Sequence, residues 1–167
     1  MRHTLLSLLA SFVLLACDQS STPATPNLPA GLVSRGPAQG PGVKEAKAAA
    51  KSGQPITLVG CIGGSVKPFV DGRAVFTIVD PAIPSCAAMG DDEHCKTPWD
   101  YCCEDRESLK RNIATVEIAG ADGRPLAISV QGLEGLKPMA TIAVTGTVEE
   151  TNDAGLLVVR AKRIEVR

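Results

Sequence analysis

Five short β-rich segments recur along the chain after residue 55 and restrict its fold more than any other feature. RAVFTIVD (73–80) carries apolar residues on both sides of its alternation, as expected for a strand that is buried on two faces. The other four segments are similar in length and composition: ITLVGCIGG (56–64), IATVEIAG (113–120), TIAVTGTVEE (141–150) and LLVVRAKRIEVR (156–167). They predict an all-β domain over residues 54–167, in which five strands enclose one apolar core.

Two irregularities add detail to this prediction. In the last segment the apolar phase changes between Ala161 and Ile164, which predicts a β-bulge. Between the third and fourth strands, QGLEGLKPM offers Leu133 and Leu136 for one short helix or turn that Pro138 ends. The predicted order of elements is therefore β-β-β-α-β-β.

This order resembles the OB-fold, a small five-stranded Greek-key barrel. The first strand contains three glycines, which suit a strand that must curve sharply to serve both sides of a barrel. The final pair of strands is similar to the last two strands of bacterial OB-fold proteins of the cell envelope, many of them of unknown function. The resemblance covers roughly residues 55–80 and 112–167 and implies an architecture without a catalytic residue. A small β-sandwich is the alternative fold.

The chief departure from that architecture is an insertion, residues 81–112, between the second and third strands. Loops of this length in compact domains are usually functional or covalently braced. The insertion is acidic, and it contains Trp99 and Tyr101, which we expect to cap the barrel. It also holds His94 and four cysteines in the spacing C-x8-C-x6-C-C: Cys86, Cys95, Cys102 and Cys103.

Three chemistries are open to these cysteines. In an oxidising compartment two disulfides are expected. Because adjacent side chains in an extended segment point to opposite sides, one of Cys102 and Cys103 should bond Cys86 and the other should bond Cys95. Four thiolates, or three with His94, could instead bind zinc or copper(I), although the C-x2–4-C pairs usual for zinc are lacking. The vicinal pair could also cycle between dithiol and disulfide. We expect the disulfides and no cofactor, with zinc or copper as the alternative.

The N-terminus predicts the compartment. Arg2 precedes an apolar run, Leu5 to Ala16, which has the proportions of a signal-peptide core. The run ends in Leu-Leu-Ala-Cys, which resembles the bacterial lipobox. That resemblance implies that residues 1–16 are removed and that Cys17 is acylated. The protein would then be lipid-anchored at the cell membrane and face the periplasm or the cell exterior. An ordinary signal peptide cleaved nearby is the alternative.

Residues 17–53 are predicted to tether the barrel to the anchor. Pro, Gly, Ser, Thr and Ala dominate residues 19–42, and large apolar side chains are too sparse there for a core. Residues 43–53 are rich in strong helix formers without a long apolar stripe, which predicts a short, marginal helix that leads into the domain.

The remaining candidates for function lie on the barrel. Lys67, Phe69 and Arg73 follow the first strand, where OB-folds contact oligosaccharides or single-stranded nucleic acid. Acidic side chains outnumber basic ones in the domain, which argues against nonspecific nucleic-acid binding. Cys61, on the first strand, is a possible free thiol. Since no sequence pattern of a nucleophile or acid–base pair is present, we expect no enzyme.

The sequence thus favours a membrane-anchored binding or scaffold module whose acidic loop is braced by disulfides. Its partner would be an unidentified envelope protein or an oligomeric ligand. A metal-handling lipoprotein that uses the Cys/His loop is the first alternative. Binding of an oligosaccharide or a single-stranded nucleic acid on the barrel face is the second.

Overall fold

The computed structural model describes residues 27–90 and 95–167. The strands in these residues are β1 Val33–Arg35, β2 Pro55–Ile62, β3 Val75–Val79, β4 Ile113–Glu117, β5 Thr141–Thr151 and β6 Leu157–Val166. The α-helices are α1 Val43–Ala49 and α2 Arg106–Asn112, and single 3₁₀ turns lie at Ala87–Met89 and Leu133–Gly135. None of the helices in these two ranges has the length and apolarity needed to cross a bilayer.

Strands β2 to β6 form a closed five-stranded barrel. Strand β2 pairs antiparallel with both β3 and β5, and β3 pairs antiparallel with β4. Strand β6 closes the circle, since it runs parallel to β4 and antiparallel to β5. The predicted OB-fold-like barrel is therefore confirmed, and the cysteine-rich insertion lies between β3 and β4, the second and third barrel strands.

In each strand, the apolar side chains at alternating positions fill the barrel interior. Phe76 and Ile78 of β3 are fully buried, as are Leu58 of β2, Val144 of β5 and Ile164 of β6. Complete burial of one such side chain contributes about 1.5–3 kcal/mol to folding. One continuous apolar cluster of this kind runs through the barrel and holds its strands together.

The predicted bulge in the last strand is confirmed. Thr145 lies opposite Arg163, whereas the next residue, Gly146, lies opposite Ala161, so that Lys162 is the extra residue on β6. Strand β5 passes very close to β6 at this point. A Cβ atom on Gly146 would lie 2.1 Å from the carbonyl oxygen of Arg160. The bend in the barrel wall therefore requires glycine at position 146.

The described residues contain two short α-helices, of which only one was predicted. The segment between β4 and β5 forms only the single turn Leu133–Gly135, in which Glu134 adopts a left-handed φ of 48° that interrupts any helix. Helix α1 falls in the segment predicted as a marginal helix. Helix α2, not predicted, ends the insertion, and the Asp105 carboxylate caps it by accepting hydrogen bonds from the amides of Glu107 and Ser108 at 2.9 and 3.2 Å.

Much of the segment predicted as a tether packs on the barrel. Strand β1 pairs in parallel with the end of β6, and Leu32, Val43 and Ala46 are buried in the main core. Apolar residues are sparse in this segment, as the sequence indicates, but the three named above pack into the same apolar core as the barrel strands. Residues 28–50 thereby become part of the domain.

Lys47 fastens helix α1 to the barrel. Its ammonium group donates hydrogen bonds to the carbonyl oxygens of Lys110 and Gly155, both at 2.8 Å, and to that of Ile113. Burial lowers the pKa of Lys47 to about 8. The side chain is therefore still mainly protonated at neutral pH, when all three ammonium hydrogens have acceptors on three separate parts of the chain.

Replacing Lys47 should destabilise the domain. In Lys47→Met, three carbonyl groups lose their donor, two of them in part-buried hydrogen bonds, and we expect a loss of about 1–2 kcal/mol in the free energy of unfolding, measured by chemical denaturation. Lys51→Met is the matched control, because Lys51 is exposed at the end of the same segment. Equal losses in the two variants would contradict the bonding role of Lys47.

Replacing Gly146 should be more damaging. In Gly146→Ala, the methyl group would meet the backbone of Arg160, which cannot move aside, and we expect a loss of about 3 kcal/mol or more. In the control Gly120→Ala, the new methyl would meet the tip of the Leu126 side chain at 3.2 Å, so the loss should stay below about 1 kcal/mol. Thermal unfolding of both variants distinguishes these outcomes, and a tolerated Gly146→Ala would be incompatible with the bulge.

Candidate metal centre

The second half of the insertion rests on the end of strand β2. The Gly64 amide donates a hydrogen bond of 2.8 Å to the carbonyl oxygen of Trp99. A Cβ atom on Gly63 would lie 2.5 Å from that same oxygen and 2.9 Å from Cε2 of Tyr101. The glycines that the sequence analysis assigned to strand curvature therefore also make room for the insertion to approach the barrel.

Two aromatic side chains anchor this contact. Tyr101 is only 2% exposed and adopts a left-handed backbone conformation, with φ of 57°, which is uncommon for a bulky residue. Trp99 is half-buried, and its Nε1 donates to the carbonyl oxygen of Val66 at 3.2 Å. Burial, followed by the proximity of Cys61 and Cys86, raises the pKa of Tyr101, so its side chain is a neutral phenol at physiological pH. Tyr101 thus caps the barrel at Gly63, next to Cys86, and Trp99 attaches the insertion to the loop that follows β2.

Three sulfur atoms form a nearly equilateral triangle above this cap. The Sγ atom of Cys86 lies 3.7 Å from that of Cys103 and 3.9 Å from that of Cys102, and the last two are 4.0 Å apart. A disulfide requires a sulfur–sulfur distance of about 2.05 Å. No disulfide joins the cysteines in the described ranges, so the structure does not contain the two expected bonds. The sulfurs converge on one point instead of separating into two pairs.

The size of this triangle matches metal–thiolate bonds. An ion at its centre would lie about 2.2 Å from each sulfur, close to the ≈ 2.3 Å of a zinc–thiolate bond. In a tetrahedral site with bonds of that length, neighbouring sulfurs are about 3.8 Å apart, which agrees with the three measured edges. Both a trigonal site and a tetrahedral site with a fourth ligand are therefore geometrically possible.

Two further donor groups lie beside the triangle. The sulfurs of Cys86, Cys95 and Cys102 and a carboxylate oxygen of Asp100 all lie within 4.8 Å of one another. Cys86 and Cys102 belong both to this group and to the triangle, so Cys95 is the nearest candidate for a fourth thiolate and Asp100 offers an oxygen. Three or four sulfur donors are the ligands that Cu⁺ and Zn²⁺ accept most readily.

Asp100 also organises the loop. Its Oδ2 atom accepts a hydrogen bond from the Thr97 hydroxyl at 2.7 Å, and its Oδ1 atom accepts one from the Cys102 amide at 2.9 Å. Burial pushes the pKa of Asp100 upward, but the hydrogen bonds from Thr97 and Cys102 outweigh it and lower the pKa. The carboxylate is therefore ionised, and it fixes the backbone turn that presents Cys102 to Cys86.

The thiols differ in how readily they ionise. Burial pushes the pKa of Cys86 upward, but hydrogen bonding with the backbone and side chain of Cys103, and with the side chains of Cys102 and Cys95, outweighs it and lowers the pKa. Hydrogen bonding to Asp100, followed by that to Cys86, raises the pKa of the Cys102 thiol. Metal binding would therefore have to displace a proton from Cys102, which makes the affinity dependent on pH.

Two of the three predicted ligand-face residues, Lys67 and Phe69, line a cavity of about 250 Å³ together with Trp99, whereas Arg73 does not line it. Phe69 is buried, with its ring centroid 5.5 Å from that of Phe76, so it belongs to the core and is no platform for stacking a ligand. Lys67 is exposed beside Asp71, at 3.9 Å, and Arg73 is exposed as well. Phe69 thus contributes a mostly buried ring to this cavity, and Trp99 is the more accessible aromatic residue there.

Three further predictions concern residues that do not belong to the sulfur triangle. Cys61 is half-buried on β2, with its Sγ 3.6 Å from the Thr141 hydroxyl, and lies outside the sulfur triangle. The predicted lipidation site Cys17 and the predicted ligand His94 lie outside the described residues.

Asp100 was not among the predicted site residues. The signal for it was present, because an Asp two residues before a functional side chain is typical of an Asx turn that orients the following backbone. Because the insertion contains many other acidic residues, the sequence alone did not single out Asp100.

A comparison with known proteins found no protein family, no curated protein and no solved structure that matches this chain.

Proposed function

We propose that this protein is a membrane-anchored, extracytoplasmic lipoprotein whose barrel carries a binding site for one thiophilic ion, Zn²⁺ or Cu⁺. The main support for the metal site is the sulfur triangle of Cys86, Cys102 and Cys103, with edges of 3.7 to 4.0 Å. Cys95 is the proposed fourth ligand. The lipid anchor at Cys17 is supported by the lipobox-like end of the apolar N-terminal run.

The geometry favours a metal over the expected disulfides. Two disulfides would bring the sulfurs together as two separate pairs, each about 2 Å apart. In the structure the Cys86 sulfur is instead nearly equidistant from those of Cys102 and Cys103. One central ion satisfies all of these distances at once, with bonds of ordinary length.

A disulfide-braced scaffold is the second candidate function. It is favoured by the docking of the insertion, since Tyr101 and Trp99 already hold the cysteines against the barrel and a covalent bond would make that contact permanent. Cys86 could then bond either Cys102 or Cys103 after a small side-chain rotation. The thiol and metal contents of the protein separate the two candidates.

The metal site predicts a defined stoichiometry. The full-length protein, purified under reducing conditions with zinc or copper supplied, should contain about one equivalent of one of these metals by elemental analysis. Its cluster thiols should react with a thiol reagent only after chelation. Cys86→Ser and Cys102→Ser should each weaken binding by about 100-fold or more.

Cys61→Ser is the matched control, because Cys61 is a half-buried cysteine outside the triangle, and it should leave the metal content unchanged. Absence of metal, together with two disulfides in protein taken from an oxidising compartment, would support the scaffold instead.

The lipid anchor predicts membrane association that depends on Cys17. Wild-type protein expressed in a bacterium with lipoprotein processing should fractionate with membranes and incorporate a labelled fatty acid. Cys17→Ser should incorporate no label and should leave the membrane fraction. Cys61→Ser should behave as wild type, and continued labelling of Cys17→Ser would place the modification at another residue.

A further inference from the structure

The sulfur atoms of the cluster are unevenly exposed. Cys86 is completely buried and Cys95 is half-buried, whereas Cys102 and Cys103 are exposed. Structural zinc sites are closed, with four protein ligands around an ion that solvent does not replace. In this cluster one side of the triangle is formed by two adjacent residues that an incoming ligand can reach.

The loop that carries the cluster has contacts of its own that do not require an ion. Asp100 bonds Thr97 and the Cys102 amide, and the Gly64 amide bonds the carbonyl of Trp99. Tyr101 is buried against the barrel. An ion is therefore not needed to hold these residues in position, and the closed barrel below has a complete apolar core.

We infer that the cluster is a transfer site, at which Cys86 retains the ion while the exposed pair Cys102 and Cys103 exchanges it with a partner that bears thiols. This inference rests on the proposed metal-binding function and deepens it. The partner is identified only by its chemistry: it must present a thiolate sulfur that can approach the exposed side of the triangle.

The exchange is a ligand substitution without electron transfer. An incoming thiol loses its proton and its sulfur bonds the ion, while the bond from the ion to Cys102 or Cys103 breaks. The released cysteine thiolate takes up a proton, so charge and protons balance and the ion keeps its oxidation state. Repetition of the step at the remaining sulfurs, ending with buried Cys86, completes the transfer.

The geometry explains this order of events. A bond from the ion to Cys102 or Cys103 can be replaced from solvent, since both residues lie on the outer side of the cluster. A bond to Cys86 cannot be attacked directly, because the barrel cap and the other cysteines surround its sulfur. Cys86 therefore holds the ion until the new ligands are in place.

The first test measures how the ion leaves the intact protein. Full-length protein loaded with one equivalent of zinc is mixed with increasing concentrations of dithiothreitol, a small dithiol, and zinc release is followed with a chromophoric chelator. We expect a release rate that rises in proportion to the dithiol concentration. The circular dichroism of the barrel and the fluorescence of Trp99, the one tryptophan of the chain, should show that the apoprotein stays folded.

A second test uses variants of the cluster. Cys103→Ser removes one exposed ligand and should release zinc to the dithiol about tenfold faster than wild type. Cys61→Ser is the control and should release zinc at the wild-type rate. Equal release rates for Cys103→Ser and Cys61→Ser would overturn the assignment of the exposed pair.

The outcomes separate the transfer role from the binding function. Stoichiometric zinc that leaves at a rate independent of the dithiol, or only as the protein unfolds, would show a structural site and overturn the transfer role alone. Protein that binds neither zinc nor copper(I) would remove the proposed function itself, and the transfer role with it.

Discussion

The closure of the barrel by β6 is the constraint on which the rest of the structure depends. Because β6 pairs with β5 along its whole length and with β4 through residues 158–160, the five strands form a closed circle of paired strands. The bulge at Lys162 and the close contact at Gly146 bend the wall enough for this closure. The closed barrel then offers a rigid end on which the insertion between β3 and β4 can rest.

The barrel end holds the insertion in place although the insertion has few apolar residues of its own. Tyr101 and Trp99 attach the insertion to β2, and Asp100 sets the turn that follows, so the sulfurs are positioned before any ligand arrives. A prepositioned set of donors costs less ordering entropy on binding. Cys86 is buried whereas the vicinal pair is exposed, and the proposed exchange role rests on this asymmetry.

The cysteine spacing illustrates where prediction from sequence reached its limit. C-x8-C-x6-C-C lacks the short C-x2–4-C pairs of common zinc sites, and the predicted compartment favoured disulfides. The structure brings Cys86 to Cys102 and Cys103 because Tyr101 turns the chain in a left-handed conformation next to them. Sequence spacing cannot show such a turn at a residue other than glycine. Phe69 is a similar case, since an aromatic residue in a loop can point outward to a ligand or inward to Phe76.

The strands of the barrel, the place of the insertion and the bulge near Ala161 could all be predicted from the sequence, because alternation and its interruptions are local properties of the chain. The same local patterns led to the grouping of the four cysteines as one candidate site. Three features became visible only in the folded protein: residues 28–50 pack on the barrel, Asp100 lies beside the cysteines, and the sulfurs lie at metal–thiolate spacing. Each of these depends on contacts between residues distant in the chain, whose distances are defined only when the barrel has closed.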